Sequence, residues 1–214
     1  MAAGSFPDLH LEHLLLQQGF TAVCGVDEVG RGPLAGPVVA AAVLLPPGDA
    51  LPGLLVGLND SKQLSAARRG HFLSVIRSLA VGVEVGMASP EEIDRLNIRQ
   101  ATLLAMSRAV NGLALQAEAF VLVDGRDLPA ELPCRGRAVI RGDQQSLSIA
   151  AASVVAKETR DALMLRLATR HPGYGWERNM GYPTAEHLEA LERLGITEEH
   201  RRSFAPVRRL LTAG

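Results

Sequence analysis

Apolar and polar positions follow a pattern along the chain that predicts several strands. Apolar runs at 21–26 and 38–45 predict two strands, and the short glycine-rich connection between them favours a hairpin. The alternation at 81–87 and the apolar runs at 120–123 and 138–140 predict three further strands. The first part of the chain is therefore rich in strands.

Helical periodicity and capping residues account for most of the remaining chain. Ser65, Ser89 and Thr184 are predicted N-caps, because their hydroxyl groups can accept hydrogen bonds from the first turn of a helix. Pro90 suits the first helical position, and a break is predicted near Asn97 in the helix that follows. The predicted helices cover residues 8–18, 65–79, 90–116, 146–170 and 185–194.

The order of these elements predicts an α/β fold. Strands come first, helices and strands then alternate, and helices alone follow, which is typical of a mixed central sheet flanked by helices. The composition changes after His171-Pro172-Gly173, where a loop with glycine and aromatic residues begins. We therefore expect a main domain at 1–170 and a small helical C-terminal region at 171–214 that packs on it.

The composition is that of a globular protein without a strong charge. Of 214 residues, 47% are hydrophobic and the formal net charge is −1, so any nucleic-acid binding must come from local clusters. Arg201 and Arg202 form one cluster, which either approaches a nucleic acid or pairs with acids of the C-terminal helices. Cys24 and Cys134 form no Cys-x-x-Cys motif, and the longest apolar stretch, 38–45, is too short to span a bilayer. We expect a cytoplasmic protein that does not act on a membrane.

An acidic pair at the end of the first strand is the strongest candidate for chemistry. Asp27 and Glu28 follow an apolar run, and two carboxylates in that setting are costly to desolvate unless a positive charge compensates them. Carboxylate oxygens suit Mg²⁺ and Mn²⁺, so a divalent cation is the most economical compensation. The segment Gly30-Arg31-Gly32 lets the backbone approach a ligand closely and offers a guanidinium to a phosphate. The combination indicates phosphate-ester chemistry.

Two further aspartates are candidates for the same site. Asp124 ends an apolar strand, and Asp143 lies between a short strand and a long helix. If the strands before Asp27 and Asp124 are parallel neighbours, their carboxylates meet at one edge of the sheet. Two divalent ions about 4 Å apart would then hold these acids together for phosphoryl displacement.

The spacing of these acids is equally compatible with ordinary turns and helix caps. Aspartate before glycine is common in turns, and aspartate before a helix is a common cap. Asp60, Asp94 and Asp127 are competing acids that spacing does not exclude. A dinucleotide site at Gly30-x-Gly32 is rejected, because a strand follows where such a site needs the N-terminus of a helix.

Several segments, taken together and in order, give the chain a resemblance to bacterial ribonuclease HII, a type 2 ribonuclease H. The resemblance extends from about Thr21 to Val207 and implies a ribonuclease H-like fold, with residues 1–170 as the catalytic domain. The matching segments are GVDEVGRGPLAGPVVAAAVLL from Gly25, NDSKQLS from Asn59, EEIDRLNIRQATLLAM from Glu91, VLVDG from Val121, GDQQSLSIAAASVVAKETRD from Gly142, GYPTAEHLEAL from Gly181 and HRRSFAPV from His200.

The resemblance implies an endonuclease that hydrolyses RNA–DNA hybrids and DNA duplexes containing ribonucleotides. It implies two-metal-ion cleavage on the 5′ side of the ribonucleotide, leaving a 3′-hydroxyl and a 5′-phosphate. The family's metal-binding acids fall on Asp27, Glu28, Asp124 and Asp143, which would hold two Mg²⁺ or Mn²⁺ ions. A monomer without an obligatory protein partner is expected. The alternative is a non-catalytic nucleic-acid-binding module on the same fold.

The resemblance also implies residues that bind the substrate. The loop Gly30-Arg31-Gly32 is expected to read the ribose 2′-hydroxyl, largely through its backbone. Tyr182 is expected to stack on the deoxyribose next to the ribonucleotide and so to favour an RNA–DNA junction. Ser61, Lys62 and Asn97 are candidate phosphate contacts. Each has an alternative role, as a cap, a solvated charge and a helix break, respectively.

The chain departs from the family pattern near two of these residues. Met180 stands where a lysine usually precedes the Gly-Tyr pair, and Arg178 is a candidate substitute for that lysine. Gln63 replaces a second lysine. Asp161, the aspartate of the family's Arg-Asp pair, lies well into a helix and is expected to be structural. These departures bear on substrate affinity more than on activity.

Overall fold

A mixed sheet of five strands lies at the centre of the computed structural model, which describes residues 6–47, 51–58, 61 and 64–213. The strands are β1 (Val23–Val29), β2 (Val38–Leu44), β3 (Gly82–Ala88), β4 (Phe120–Asp124) and β5 (Arg135–Val139). Their order across the sheet is β3-β2-β1-β4-β5. β1 and β2 form the predicted antiparallel hairpin, and β4 runs parallel to both β1 and β5. The predicted mixed sheet is thus confirmed.

The pairing of β1 with β4 determines where the acids lie. In this parallel pair Val26 lies opposite Val123. Asp27 and Asp124 are the next residues on the two strands, so both aspartates stand at the same edge of the sheet. The condition for a shared acidic site, two parallel neighbouring strands, is therefore met.

Helices and one short 3₁₀ segment connect the strands and cover the sheet. The helices are α1 (His10–Gln17), α2 (Leu51–Leu54), α3 (Ala66–Leu79), α4 (Pro90–Leu96), α5 (Ile98–Gly112), α6 (Leu147–Arg170), α7 (Trp176–Asn179), α8 (Ala185–Leu194) and α9 (Ala205–Ala213), with a 3₁₀ helix at Gly142–Gln144. The hydroxyl groups of Ser65, Ser89 and Thr184 accept hydrogen bonds at the starts of α3, α4 and α8, as predicted.

The structure differs from the predictions at the fifth strand. β5 covers Arg135–Val139, whereas the apolar run predicted a strand at 138–140. Arg135 and Arg137 are exposed on this edge strand, and Val139 is buried. The first half of this edge strand has exposed polar side chains, so its apolar run marks the C-terminal end of the strand alone. The helices α2, α7 and α9 also lie outside the predicted elements.

Two helices cover opposite faces of the sheet. Val39 and Ala41 of β2 belong to an apolar cluster that includes the first half of α6, while Ala40 and Ala42 belong to a cluster that includes α5. Successive strand residues point to opposite faces, so both faces of β2 are buried. This arrangement explains why the strand is apolar throughout.

Two glycines allow these helices to approach the sheet closely. A Cβ atom added to Gly25 of β1 would lie 2.1 Å from the carbonyl carbon of Ser148 in α6. A Cβ atom added to Gly86 of β3 would lie 2.1 Å from the carbonyl oxygen of Ala105 in α5. Any side chain at either position would therefore push a helix away from its strand.

The C-terminal region packs against the second half of α6. Leu34, in the loop after β1, and Met164 of α6 share an apolar cluster with residues of this region. The C-terminal members include Tyr174, Trp176, Ala190, Leu191 and Val207. The C-terminal region therefore contacts the loop that follows the acidic pair. Across the described part of the chain, no helix has the length and apolar character needed to cross a bilayer.

Candidate active site

Three carboxylates converge at the edge of the sheet. Asp27 and Glu28 lie near the end of β1, and Asp124 is the last residue of β4. One oxygen from each side chain lies within 4.8 Å of an oxygen from each of the others. Three like charges at this separation repel one another strongly when no cation is present.

Asp27 is the most buried of the three acids, with 6% of its surface exposed. Burial, and then the negative charges of Glu28 and Asp124, hold the pKa of the Asp27 carboxyl well above its usual range. The backbone amide of Glu28 donates a hydrogen bond of 2.7 Å to Asp27 Oδ1, which opposes this rise in the pKa. Oxygen donors with excess negative charge suit a hard divalent cation, so this acidic cluster is a fitting place for one.

The fourth predicted acid lies next to this cluster. The backbone amide of Gly142 donates a hydrogen bond of 2.6 Å to Asp124 Oδ1. Asp143 follows Gly142 directly in the 3₁₀ helix, and its side chain is partly buried. The same hydrogen bond therefore holds the backbone before Asp143 against Asp124. The group of carboxylates within 4.8 Å consists of Asp27, Glu28 and Asp124.

The competing acids of the described chain have other roles. Asp127 lines a cavity of about 100 Å³ beside Glu28 and Asp124, but its carboxylate pairs with Arg99 at 2.6 Å. The hydrogen bonds from Arg99 lower the pKa of Asp127. Asp94 accepts hydrogen bonds of 2.8 Å from the backbone amides of residues 202 and 203 and so anchors a C-terminal loop. The third competitor, Asp60, lies outside the described residues.

The two glycines of the Gly30-Arg31-Gly32 loop differ in their surroundings. Gly30 has a φ of +91°, and an added Cβ would lie 2.2 Å from Arg160 Nε. At Gly32, an added Cβ would meet the Tyr182 ring at 3.4 Å, which is an ordinary contact. The fold itself thus requires glycine at position 30. Between these glycines, the Arg31 side chain is about half exposed and pairs with Glu28 at 3.4 Å.

Arg201 supports this loop from within the protein. It is fully buried and donates hydrogen bonds of 2.6, 3.0 and 2.9 Å to the carbonyl oxygens of Gly30, Arg31 and Gly36. Burial and the nearby charge of Arg160 lower the pKa of Arg201 to about 9. The partial negative charges of the carbonyl groups compensate the buried guanidinium.

Arg160 of α6 supports the next part of the loop. Its guanidinium donates to the carbonyl oxygens of Ala35, Pro37 and Met180 at 3.0 to 3.1 Å. Burial lowers the pKa of Arg160 to about 10. These contacts give Arg160 a structural role. Arg201 is buried and bonds to backbone carbonyl groups, so it neither meets solvent nor pairs with an acid of the C-terminal helices. The local sequence does not indicate this role of Arg201, because its partners lie far away along the chain.

Comparison with known families shows where this arrangement belongs. The sequence profile of the family described as ribonuclease HII matches residues 24–207. The chain belongs to the ribonuclease HII family. It is 60% identical to the ribonuclease HII of Rhodospirillum rubrum over 207 residues, which is 96% of this chain and 92% of the relative. It is 58% identical to the ribonuclease HII of Ruegeria pomeroyi over 205 residues, covering 96% and 85% of the two chains.

A solved structure agrees with the fold of this ribonuclease HII. The ribonuclease H2 of Pyrococcus horikoshii superimposes with a TM-score of 0.74 at 24% identity, covering 90% of this chain and 98% of the other. The predicted ribonuclease H-like fold is confirmed. As a ribonuclease HII, the protein is an endoribonuclease that acts on RNA–DNA hybrids, and its acidic cluster at Asp27, Glu28 and Asp124 is in place. The alternative of a non-catalytic module is set aside.

Tyr182 and Asn97 are the other predicted substrate residues within the described part of the chain. Tyr182 is 40% exposed, and its ring stands beside Gly32. Asn97 has a φ of 69° and separates α4 from α5, and its Oδ1 accepts a hydrogen bond of 3.2 Å from the Gln100 amide. The predicted helix break is thus present. Lys62 and Gln63 lie outside the described residues.

Two further candidates have partners within the protein. Ser61 is 3% exposed, and its hydroxyl accepts a hydrogen bond of 2.9 Å from Ser153. The Ser61 hydroxyl is therefore buried and has a partner on α6. Arg178, the candidate substitute for the lysine replaced by Met180, forms ion pairs with Glu177 and Glu186.

Asp161 pairs with basic side chains on the side of α6. Lys157 donates a hydrogen bond of 2.6 Å to it, and Arg69 lies 3.4 Å away. Arg69 also donates to Glu158 at 2.6 Å, so it connects α3 with α6. These contacts fit the structural role expected for Asp161.

Proposed function

We propose that the enzyme cuts the phosphodiester on the 5′ side of a ribonucleotide embedded in duplex DNA or in an RNA–DNA hybrid. The products would carry a 3′-hydroxyl and a 5′-phosphate, and the reaction would remove ribonucleotides from DNA. The convergence of Asp27, Glu28 and Asp124 within 4.8 Å, next to a glycine loop, is the observation that carries the proposal. This arrangement combines a place for cations with a backbone surface that a sugar can approach.

The acids have the role of holding divalent cations. Asp27, Glu28 and Asp124 would bind them directly, and Asp143 would join from the adjacent 3₁₀ helix. Mg²⁺ and Mn²⁺ suit an all-carboxylate site. Held by these acids, two such ions would supply an activated water and compensate the charge on the leaving 3′-oxygen. Burial, and then the charges of Glu28 and Asp124, raise the pKa of Asp27, which supports this role because a bound cation would compensate both effects.

The glycine loop has the role of recognising the 2′-hydroxyl. Gly32 has ordinary contacts and no steric conflict at its Cβ position, so its lack of a side chain serves something outside the folded chain. A ribose lying against Gly32 would explain this choice, since a hydroxyl group can exchange hydrogen bonds with backbone groups. Arg31 is half-exposed beside the acids and would contact a phosphate of the same strand.

Tyr182 and Asn97 would bind the neighbouring nucleotides. The Tyr182 ring is partly exposed beside Gly32, where it can stack on the deoxyribose that follows the ribonucleotide. The capping bond of Asn97 uses Oδ1, so its Nδ2 group can still donate to a phosphate. Lys62 is proposed as a second phosphate contact on the resemblance alone. We also propose that the enzyme is cytoplasmic and acts as a monomer. Sedimentation equilibrium of the purified protein would test the oligomeric state.

A duplex DNA with one labelled ribonucleotide tests the proposed reaction. We expect cleavage with Mg²⁺ or Mn²⁺, loss of cleavage with EDTA, and a 3′-hydroxyl product that a DNA polymerase extends. Asp27→Asn and Asp124→Asn should each lower kcat by orders of magnitude. Asp127→Asn is the matched control, because this acid lies in the same cavity but pairs with Arg99. A cut on the 3′ side, or full activity in Asp27→Asn, would refute the proposal.

A further inference from the structure

A buried network of two histidines and a tryptophan lies behind Tyr182. Trp176, His187 and His200 are each at most 1% exposed. The indole Nε1 of Trp176 donates a hydrogen bond of 3.0 Å to His187 Nε2, and His200 Nε2 lies 3.2 Å from the same atom. On the far side, the backbone amide of Thr197 donates to His200 Nδ1 at 3.0 Å. The three rings thus form one connected chain.

The donors at the two ends of the network determine where the protons lie. An indole N–H can only donate, so His187 Nε2 must be the unprotonated nitrogen, and the proton of the neutral ring lies on Nδ1. The Thr197 amide likewise leaves His200 Nδ1 unprotonated, and His200 Nε2 then donates to His187. Burial lowers the pKa of both histidines, which keeps both rings neutral.

The protonated nitrogen of His187 faces the backbone of Tyr182. His187 Nδ1 lies 3.0 Å from the Tyr182 carbonyl oxygen, which can only accept, so this is a hydrogen bond from the histidine. The same carbonyl accepts a bond of 2.8 Å from the Thr184 amide, and the Tyr182 amide donates to the Asn179 carbonyl oxygen at 2.9 Å. Both peptide groups of Tyr182 are therefore held, while its ring reaches out beside Gly32.

We propose that His187 is a positioning residue that sets the place of the Tyr182 ring above Gly32 and thereby the preference for an RNA–DNA junction. Trp176 and His200 both direct a donor at His187 Nε2, so either one alone keeps the proton of His187 on the nitrogen that faces Tyr182. The inference rests on the proposed role of Tyr182 in reading the nucleotide next to the ribonucleotide. It predicts that selectivity depends on a buried side chain that does not touch the substrate.

The measured quantity is a ratio of two values of kcat/KM. The first substrate is a DNA duplex with one ribonucleotide, which has an RNA–DNA junction directly after that ribonucleotide, and the second is a continuous RNA–DNA hybrid. Tyr182→Ala should lower this ratio. His187→Phe, which removes the hydrogen bond but keeps a ring, should lower it by about threefold to tenfold, the worth of one hydrogen bond. The loss should appear in KM for the junction substrate more than in kcat.

Two variants separate positioning from loss of stability. His187→Asn places an amide nitrogen where Nδ1 stands, so it should keep the ratio within about twofold of the wild type because the hydrogen bond to Tyr182 is kept. Trp176→Phe removes a buried donor in the same core but leaves the contact between His187 and Tyr182, and His200 still donates to Nε2. Its thermal stability should fall as in His187→Phe, with an unchanged ratio.

Each outcome decides one point. If Tyr182→Ala lowers the ratio, the proposed role of Tyr182 stands. The positioning role of His187 is then wrong if His187→Phe and Trp176→Phe lower the ratio equally, or if neither of them changes it. If Tyr182→Ala leaves the ratio unchanged, the role of Tyr182 fails and the inference fails with it. Nitrogen-15 NMR of the histidine rings supplies a check without substrate, since Nδ1 of His187 should carry the proton. A proton on Nε2 would overturn the inference even if both phenylalanine variants misfold.

Discussion

The guanidinium of Arg201 donates a hydrogen bond of 2.6 Å to the carbonyl oxygen of Gly30, 171 positions earlier in the chain. With its bonds to Arg31 and Gly36, this contact connects the C-terminal region to the loop that follows the catalytic pair. The direction of these carbonyl groups also determines where the neighbouring amides point. The conformation of the proposed 2′-hydroxyl-reading loop therefore depends on a residue from the far end of the sequence.

Replacing this arginine should destabilise the fold and loosen the loop. Lysine at position 201 keeps the charge but cannot reach three carbonyl groups with one ammonium, so Arg201→Lys should lower the free energy of unfolding by about 2–4 kcal/mol. Urea unfolding measures this change. Arg202→Lys is the matched control, because Arg202 is exposed and uses its backbone amide in its bond to Asp94. Equal stability of the two variants would contradict the supporting role.

The two glycines of the loop should respond differently to alanine. Gly30→Ala should destabilise the protein, since its φ of +91° and the contact of 2.2 Å with Arg160 leave no room for a Cβ atom. Gly32→Ala should keep the free energy of unfolding within about 0.5 kcal/mol of the wild type, as a surface change does. Its KM for a ribonucleotide-containing duplex should nevertheless rise. A stable Gly32→Ala variant with normal KM would show that glycine 32 does not serve substrate approach.

Removing one charge from the acidic cluster should stabilise the metal-free protein. Asp27→Asn relieves the repulsion within 4.8 Å while keeping an oxygen for the Glu28 amide. In EDTA its melting temperature should rise by about 2–4 °C for each kcal/mol of repulsion removed. Added Mn²⁺ should raise the melting temperature of the wild type and much less that of the variant. Calorimetry checks both effects, and a lower melting temperature for Asp27→Asn in EDTA would argue against strained acids.

The free energy of unfolding should fall in acid because the buried His200 is stable only in its neutral form. Burial lowers the pKa of His200 to about 3 from the usual 6.5, so its neutral form stabilises the fold fully above pH 6.5. That stability is lost progressively as the pH falls from 6.5 towards 3, because the unfolded chain binds the proton more readily. His200→Gln keeps a donor to His187 without this titration. Its stability should therefore depend less on pH in that window, as urea titrations at several pH values would reveal.

The close approach of α5 to β3 provides a matched pair of glycine variants. Gly86→Ala should lower the free energy of unfolding by more than about 3 kcal/mol, since the added Cβ would lie 2.1 Å from a backbone oxygen of α5. Gly70 is exposed within α3, and nothing lies within 4 Å of its added Cβ. Gly70→Ala should thus stabilise the protein by about 0.5–1 kcal/mol through helix propensity. In urea unfolding, Gly86→Ala should therefore lower the free energy of unfolding and Gly70→Ala should raise it.

Much of the architecture was open to prediction because its causes are local. The caps at Ser89 and Thr184 act within one helical turn, and the hairpin depends on a short glycine-rich connection. The acids at 27 and 124 were also predictable, since both directly follow apolar runs. The strand at 138–140 was predicted with the wrong bounds, because the first residues of β5 at the edge of the sheet are exposed arginines and glycine, which form no apolar run.

The amino-acid order alone dictated the strands, the main helices and the chemical nature of the acidic pair, because periodicity, caps and carboxylates act over a few residues. Folding in three dimensions settled which distant groups meet. It brought Asp124 to within 4.8 Å of the first pair, placed Arg201 beneath Gly30 and set His187 behind Tyr182. Such contacts depend on the pairing of strands and the packing of helices, and no short stretch of chain contains that information.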